Sequence, residues 1–121
     1  MNKYNTVKKN SDFYRAIHSG CFVKNRSYVV YKCENNIDRF RIGISVSKKL
    51  GNAVCRNKCK RQLRSIIDKY KKCYQNGVDY IIIIRSTFIN LDFKDKEIDF
   101  LNLIEKVNKG FKKEIINEEK K

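Results

Sequence analysis

The chain has 121 residues, of which 41% are hydrophobic, and its 28 Lys or Arg outnumber 13 Asp or Glu to give a formal net charge of +15. This length predicts a single domain with one core over residues 1–121, frayed at residues 1–9 and 114–121. The positive charges on a surface this basic repel one another, and binding of a polyanion relieves that repulsion. No apolar run approaches the roughly 18 residues of a membrane span, so the composition excludes a membrane-spanning protein and favours a phosphate-rich partner.

The cysteines indicate the compartment. There are five, at positions 21, 33, 55, 59 and 73, with no C-x-x-C pair and a single histidine, His18. This number and spacing fit neither a disulfide framework nor a zinc site, and residues 1–11 lack the apolar segment of a signal peptide. We therefore expect a reducing, cytoplasmic location. The sequence assigns no cofactor to the protein itself and leaves open whether the protein holds a metal ion. Cys55 and Cys59 are expected to be small buried hydrophobic side chains.

The first elements predicted along the chain are a short helix and an extended segment. Ser11 can cap a helix over Asp12–His18, and Gly20 is placed to end it. Residues 21–34 are typical of extended chain, as one strand or as two, because their middle is irregular. Asn35-Asn36 supplies the turn that follows.

The rest of the chain alternates between strands and helices. Arg39–Ser47 alternates polar and apolar side chains, which predicts a half-exposed strand, and the β-branched residues of Val78–Ile84 predict a more buried one. A helix is predicted between them over about Ala53–Tyr74. After a loop at Ser86–Asn90, a last amphipathic helix is indicated by the spacing of Ile98, Leu101, Ile104, Val107 and Phe111. The predicted order is αβββαβα, a small α/β sandwich.

The helix over Ala53–Tyr74 has a basic side and an apolar side. Asn52 can cap its start and Asn76-Gly77 closes it, and from Arg39 to Ile67 there are nine Lys or Arg and no acidic residue. Since a helix turns by about 100° per residue, one polar arc is shared by Arg56, Asn57, Lys60, Arg61 and Arg64. The opposite, apolar stripe holds Cys55, Cys59, Leu63, Ile66, Ile67 and Tyr70. Lys58 falls off the centre of the basic arc.

The basic side of this helix indicates a nucleic-acid partner. A solvated face normally mixes both signs of charge, and a membrane-surface helix would place large apolar residues such as Trp opposite its charges, whereas the chain has no Trp. Nothing resembles a helix-turn-helix pair or a dimer seam of a DNA-binding protein. Residues 1–72 hold 19 Lys or Arg against 4 Asp or Glu, a net +15, whereas residues 73–121 hold 9 of each. The polyanion-binding surface therefore belongs to the first part of the chain.

Four segments of this region closely resemble the bacterial ribonuclease P protein family, whose signature is an Arg-Asn-Arg helix. They are Ser45-Val-Ser-Lys-Lys49, Gly51-Asn-Ala-Val54, Arg56-Asn-Lys58 and Lys60-Arg-x-x-Arg64. Further likeness to the family covers Ser11–Gly20, Asn25–Tyr31 and Asp79–Arg85, so the resemblance extends over roughly residues 8–113.

The resemblance implies a fold. It is an α+β sandwich of the kind shared with ribosomal protein S5 domain 2, with a strand–helix–strand unit over residues 39–84. In the family this crossover is left-handed. Base rates for parallel neighbouring strands favour the right-handed form, so the left-handed crossover is implied by the resemblance alone.

The resemblance also implies a function. Ribonuclease P is a ribonucleoprotein endonuclease that removes the 5′ leader from precursor tRNA and leaves a 5′-phosphate. Its RNA subunit carries the active site and the Mg²⁺ ions that the holoenzyme requires. The protein, expected at one copy per RNA, binds this RNA and the leader, broadens substrate use and lowers the magnesium requirement. The residues fit this division, because the basic surface carries no carboxylate cluster for two metals, and we expect no catalytic residue in this chain.

Two surfaces follow from the resemblance. The surface expected to bind the RNA subunit, here called the basic surface, consists of Ser45, Ser47, Lys48, Lys49, Arg56, Asn57, Lys58, Lys60, Arg61 and Arg64. The surface expected to bind the leader, here called the cleft, consists of Phe13, Ile17, Val29 and Tyr31. Rings in the cleft would stack on bases without strong sequence preference. Periodicity alone would make these four side chains ordinary core.

The chain departs from the family at two positions. Lys58 replaces the second Arg of the signature and lacks its planar, bidentate fork. Ile17 stands where the family usually has a second aromatic residue beside Phe13. The alternative function is a non-catalytic RNA-binding protein, such as a ribosomal component or an assembly factor. Composition does not separate the two, and the Arg-Asn-Lys helix favours ribonuclease P.

Overall fold

The structure is a computed structural model that describes the backbone of residues 5–7, 10–19 and 21–120 and the side chains of residues 7, 11–18 and 21–108. Its strands are β1 (Asn5–Thr6), β2 (Cys21–Lys24), β3 (Tyr28–Glu34), β4 (Arg41–Val46) and β5 (Val78–Ile84). Its helices are α1 (Asn10–Ser19), α2 (Ala53–Lys69), α3 (Thr87–Asn90) and α4 (Phe93–Lys120), with 3₁₀ turns at Lys48–Leu50 and Lys71–Cys73. The predicted order of elements is confirmed, with β1 and α3 added to it.

The five strands form one mixed sheet in the order β1-β4-β5-β3-β2. β3 is antiparallel to β2 and β5, and β4 is parallel to β5 and to β1. Parallel neighbours cannot be joined by a tight turn, so α2 makes the connection from β4 to β5. This arrangement confirms the α+β class and places the start of α2 at the end of β4.

The two faces of the sheet are covered differently. One face packs against α2 and α4 and forms the main core, to which α2 contributes Cys59, Leu63, Ile66 and Ile67. Those four side chains confirm the predicted apolar stripe. The other face is covered by α1, whose Ala16 is fully buried in a small cluster with Val7 and Ile81. The small cluster lies on the face that carries the predicted cleft.

Residues 21–34 form two strands because of Asn25. Its side-chain Oδ1 accepts hydrogen bonds from the backbone N–H groups of Ser27 and Tyr28, both at 3.0 Å. An Asn side chain that bonds the backbone two and three residues later makes a local turn. Asn25 Nδ2 also donates to the carbonyl of Asp99 on α4 at 3.0 Å, which fixes the turn against that helix.

Two helix boundaries were predicted wrongly. α1 begins at Asn10, so Ser11 lies inside the helix and is not its cap; the predicted terminator Gly20 lies outside the described residues. α2 ends at Lys69 and not at Tyr74. Tertiary contacts explain the early end of α2, because the Tyr70 hydroxyl donates to Glu97 Oε2 of α4 at 2.5 Å.

Two further segments differ from or extend the prediction. The loop expected at Ser86–Asn90 contains the short helix α3, whose Phe88 is fully buried in the main core. The two-residue strand β1 has no signal in the sequence pattern. The expectation that Asn76-Gly77 closes the helix is wrong, because α2 ends at Lys69. Gly77 lies in the turn before β5, and its φ of +80° is a conformation that favours glycine. Among the described residues, no helix has both the length and the apolar content needed to cross a membrane.

Candidate RNA interface

The approach to α2 is held by two side-chain caps. Ser47 Oγ accepts a hydrogen bond from the backbone N–H of Lys49 at 3.1 Å and caps the 3₁₀ turn. Asn52 Oδ1 accepts from the backbone N–H of Cys55 at 2.9 Å and caps α2, as predicted. A side-chain cap satisfies an N–H group that a helix start leaves unpaired. These caps define the path from β4 to α2 and leave Lys48 and Lys49 exposed.

The basic surface lies along the outer side of α2 and the turn before it, except for Ser45, which lies on β4 and faces the side of the sheet that carries the cleft. Its exposed members are Ser47, Lys48, Lys49, Asn57, Lys58, Arg61 and Arg64, and its half-buried members are Ser45, Arg56 and Lys60. Arg56 Nε donates to the carbonyl of Gly51 at 3.3 Å, which orients its guanidinium beside the helix start. In the described part of the chain, no ion pair joins these basic side chains to a carboxylate. Unneutralised charges of this kind are what phosphates bind.

Lys58 differs from the other cations of the basic surface in its electrostatic effect on α4. Burial lowers the pKa of Lys96 on α4, and the charge of Lys58 lowers it further. Lys96 Nζ donates to Gln62 Oε1 at 2.8 Å and lies 4.5 Å from the centre of the Phe88 ring. The charge of Lys58 thus acts on a buried cation of α4, and its weaker role in RNA binding stays a prediction.

Phe13 of the predicted cleft rests directly on the sheet. An ideal Cβ built on Gly43 would lie 2.9 Å from Phe13 Cζ and 2.8 Å from Ile81 Cδ1. Side chains do not tolerate such distances, so α1 approaches β4 this closely because residue 43 is glycine. Phe13 is half-buried and packs on the small cluster around Ile81.

The other cleft residues share this face of the sheet. Tyr31 packs on the same small cluster as Phe13, and Val29 precedes it by two on β3, so both side chains point to the same side. Both are half-buried. Ile17 lies one turn after Phe13 on α1 and is 36% exposed. The cleft is therefore neither closed core nor open surface, because each ring has a packed side and an accessible part.

A buried charge cluster ties α1 to the sheet beside the cleft. Asp79 of β5 is fully buried and accepts hydrogen bonds from Arg41 Nε at 2.8 Å, from Arg41 Nη2 at 2.6 Å and from Asn35 Nδ2 at 2.8 Å. Arg15 Nη2 of α1 lies 3.5 Å from Asp79 Oδ2, and Asp12 Oδ2 lies 3.5 Å from Arg41 Nη1. The hydrogen bond to Asp79 raises the pKa of Arg41. Carboxylates and guanidinium groups thus neutralise one another here.

Among the described side chains, no group of three His, Cys, Asp or Glu lies close enough together to hold a metal ion. Asp79 is a fully buried carboxylate beside the cleft, and its two oxygens already accept hydrogen bonds from Arg41 and Asn35. Magnesium keeps several waters and is bound through one or two carboxylates, and Asp79, with both oxygens engaged, is not available for that role.

Two residues beside the cleft were not predicted as site residues. Phe22 of β2 is 48% exposed, and its ring centre lies 5.3 Å from that of Tyr31. Lys24 is exposed on the same strand. Their alternation along β2 is the signal that could have indicated a shared face, but the irregular middle of residues 21–34 obscured the strand.

A half-open aromatic face on a mixed sheet, next to a capped helix with unneutralised cations, defines a small α+β protein of the RNA-binding class. The Ribonuclease P family matches residues 1–108. The ribonuclease P protein component of Streptococcus pneumoniae serotype 4 is 41% identical over 104 residues, which cover 86% of this chain and 85% of the relative. The chain therefore belongs to the ribonuclease P protein family, the protein subunits of the endoribonuclease that works in tRNA processing.

Solved structures agree with this assignment. A Staphylococcus aureus RNase P protein superposes with a TM-score of 0.79 at 42% identity, over 90% of this chain and 99% of that one. A mutant Staphylococcus aureus RNase P protein, described as defective in mRNA degradation activity, superposes with a TM-score of 0.80 at 40% identity, over 85% and 87%. The alternative of a ribosomal component or assembly factor is set aside by the family.

Proposed function

We propose that this chain binds the catalytic RNA of ribonuclease P through the basic surface and the 5′ leader of precursor tRNA in the cleft. The observation that carries the proposal is the set of Lys and Arg along α2 that have no carboxylate partner in the described residues. Each cation that neutralises a phosphate releases condensed counterions. A folded RNA with closely spaced phosphates is therefore the partner that this surface fits best.

The chemistry in this proposal belongs to the RNA subunit. We assign the Mg²⁺ ions to that RNA, where they would supply charge stabilisation at the scissile phosphate. The protein contributes positive charge that shields RNA phosphates, and this contribution lowers the concentration of magnesium that the RNA needs. One protein per RNA is expected, since one basic surface is present, and the thiols of five cysteines favour the cytoplasm.

In this proposal the cleft accounts for the preference for precursor tRNA over mature tRNA. Phe13 and Tyr31 each present part of a ring on the face that α1 leaves half-open. Every base has a π-face, so stacking on such rings is tolerant of sequence. A cleft of this kind holds many different leaders, and precursor tRNA is held more tightly than mature tRNA, which has no leader.

Reconstitution tests the proposal. The protein is combined with the ribonuclease P RNA of its own genome at low magnesium, and cleavage of precursor tRNA is followed. Accurate leader removal is expected from the complex at a magnesium concentration at which the RNA alone is slow. The protein alone is expected to cleave neither precursor tRNA nor mRNA.

Two comparisons make the reconstitution decisive. Arg61→Gln with Arg64→Gln should raise the magnesium requirement, whereas Lys94→Gln, an exposed lysine at the start of α4, should not. Cleavage by rigorously RNA-free protein would contradict the proposal. The mRNA substrate is included because the mutant Staphylococcus aureus relative is described by a loss of mRNA degradation activity.

A further inference from the structure

An exposed aromatic residue extends the face of the cleft to the edge of the sheet. Phe22 lies on β2, which is the outermost strand next to β3. It pairs with Tyr31 in the sheet register, and the two ring centres are 5.3 Å apart with the planes inclined at 37°. Phe22 is nonetheless 48% exposed. One side of its ring therefore packs on Tyr31 while much of the rest remains accessible.

The sheet register connects this pair to Phe13. Tyr31 pairs with Ile81, and Ile81 pairs with Gly43, on which the Phe13 ring rests. Three inter-strand spacings of about 4.8 Å separate β2 from β4, a distance of roughly 14 Å. The face thus carries a row of apolar side chains with a ring at each end and Tyr31 between them. This row is longer than one base.

A cation accompanies the exposed ring. Lys24 is exposed and follows Phe22 by two residues, so both side chains point to the same face of β2. Lys24 also pairs with Val29 of the cleft in the sheet register. Rings alternating with cations are the composition of surfaces that bind single-stranded nucleic acid, since the rings stack on bases and the cations neutralise phosphates.

Two ordinary explanations compete with a binding role. Single exposed hydrophobic residues are common on protein surfaces, and a lysine on an edge strand discourages pairing with other chains. Phe93, which is 41% exposed at the start of α4, is a residue of the first kind. Phe22 differs because its ring contacts Tyr31 and continues the cleft.

We propose that Phe22 and Lys24 extend the leader-binding cleft across β2 and contact leader nucleotides beyond those held by Phe13 and Tyr31. This inference rests on the proposed function, because it takes the bound strand to be the leader of precursor tRNA. Phe22 stacks on a leader base and Lys24 neutralises an adjacent phosphate. Affinity for precursor tRNA then depends on leader length as well as on the presence of a leader.

The test uses the reconstituted holoenzyme and precursor tRNAs whose leaders are shortened one nucleotide at a time. Phe22→Leu removes the ring and keeps the apolar contact with Tyr31. It should weaken binding of long-leader precursors by roughly fivefold or more, the effect of losing one stacked base. Phe22→Tyr should bind these precursors more tightly than Phe22→Leu does. Phe93→Leu is the matched control and should bind like the wild type at every leader length.

The loss should disappear for short leaders and for mature tRNA. Lys24→Gln should reduce the logarithmic salt dependence by about one for long leaders and leave it unchanged for short ones. Equal affinities of Phe22→Leu and wild type for the longest leader would overturn the inference, and so would an equal loss for mature tRNA. If the wild type itself fails to prefer precursor over mature tRNA, it is the proposed function that fails.

Discussion

At the scale of single residues, the cleft side chains have two roles that can be separated. Phe13 packs on Gly43 and Ile81, and Tyr31 packs on the same small cluster, so both contribute to the core. Both are also half-buried, which leaves part of each ring available to a base. A substitution at either position therefore changes stability and ligand affinity, and the two effects are distinguished by the RNA that is tested.

We expect Phe13→Ala and Tyr31→Ala to remove on the order of 1–3 kcal/mol of affinity for precursor tRNA, the value of one stacked base. Affinity for mature tRNA and assembly with the RNA subunit should be retained, because α2, which carries most of the basic surface, packs on the opposite face of the sheet. The converse change, Ile17→Phe, adds a ring at a position that is 36% exposed and should hold or improve precursor affinity. Binding of both tRNAs to the holoenzyme is measured.

Thermal unfolding of the same variants separates a packing role from a binding role. A purely structural role predicts a lower melting temperature together with equal losses for both tRNAs. Should Phe13→Ala mainly unfold the protein, the assignment of Phe13 to the cleft is wrong, and Tyr31→Ala then decides the cleft on its own.

At the scale of elements, the position of α1 depends on a buried charge. Asp79 is fully buried in β5, and its partners come from the sheet, from the turn after β3 and from α1. A buried carboxylate is favourable while it is paired, and removal of one partner leaves the others with an uncompensated charge. The cleft depends on this cluster because Phe13 is carried by the same helix.

Asp79→Asn should therefore reduce the free energy of unfolding by on the order of 3 kcal/mol. Chemical denaturation measures this loss, and Asp38→Asn, which changes an exposed carboxylate, should have little effect. The double change Asp79→Leu with Arg41→Leu removes both members of the closest pair and should be less destabilising than Arg41→Leu alone. If the double variant has a lower free energy of unfolding than Arg41→Leu alone, the Asp79–Arg41 pair is not the source of the stability.

The attachment of α4 to the β2–β3 turn should depend on pH. Burial raises the pKa of Asp99, but hydrogen bonds from Arg26 and Ser27 outweigh burial and bring the pKa below its ordinary 3.8. Because the folded state then binds a proton less readily than the unfolded state, this carboxylate stabilises the fold above about pH 4. The stabilisation is lost as the pH falls through the depressed pKa.

Urea unfolding between about pH 2 and pH 6 measures this effect. Asp99→Asn should be less stable than the wild type at pH 6, and the difference should shrink toward pH 2, where the carboxyl of the wild type is protonated. Asp38→Asn again serves as the control. A difference in stability that stays constant from about pH 2 to pH 6 would show that the negative charge of Asp99 does not stabilise the fold.

Local signals were enough to predict some elements but not their contacts. The Asn52 cap, the alternation of β4 and the apolar stripe of α2 depend on neighbouring residues and were predicted correctly. The end of α2 depends on Tyr70 and Glu97, which are 27 residues apart, and no local pattern carries that information. The contact of Phe13 with Gly43 is equally non-local, so periodicity alone did not separate the cleft from the core.

At the scale of the whole molecule, the charge is divided unequally between two parts of the chain. The net charge of +15 belongs to residues 1–72, whereas residues 73–121 are neutral overall. Three described carboxylates of the second part pair within the fold: Asp79, Glu97 and Asp99 bind Arg41, Lys69 and Arg26. Much of the cationic surface of α2 is therefore left for an external polyanion.

Alanine substitutions along α2 test whether this division directs RNA binding. Arg56→Ala, Lys60→Ala, Arg61→Ala and Arg64→Ala should each weaken binding to the RNA subunit and reduce the logarithmic salt dependence by about one, the effect of one lost phosphate contact. Lys58→Ala should do less, because the helical turn of about 100° per residue places Lys58 off the centre of the basic arc. Lys94→Ala is the control from the neutral part of the chain and should leave the slope unchanged. Equal losses at all six positions would mean that net charge, and not the geometry of α2, determines how this protein binds RNA.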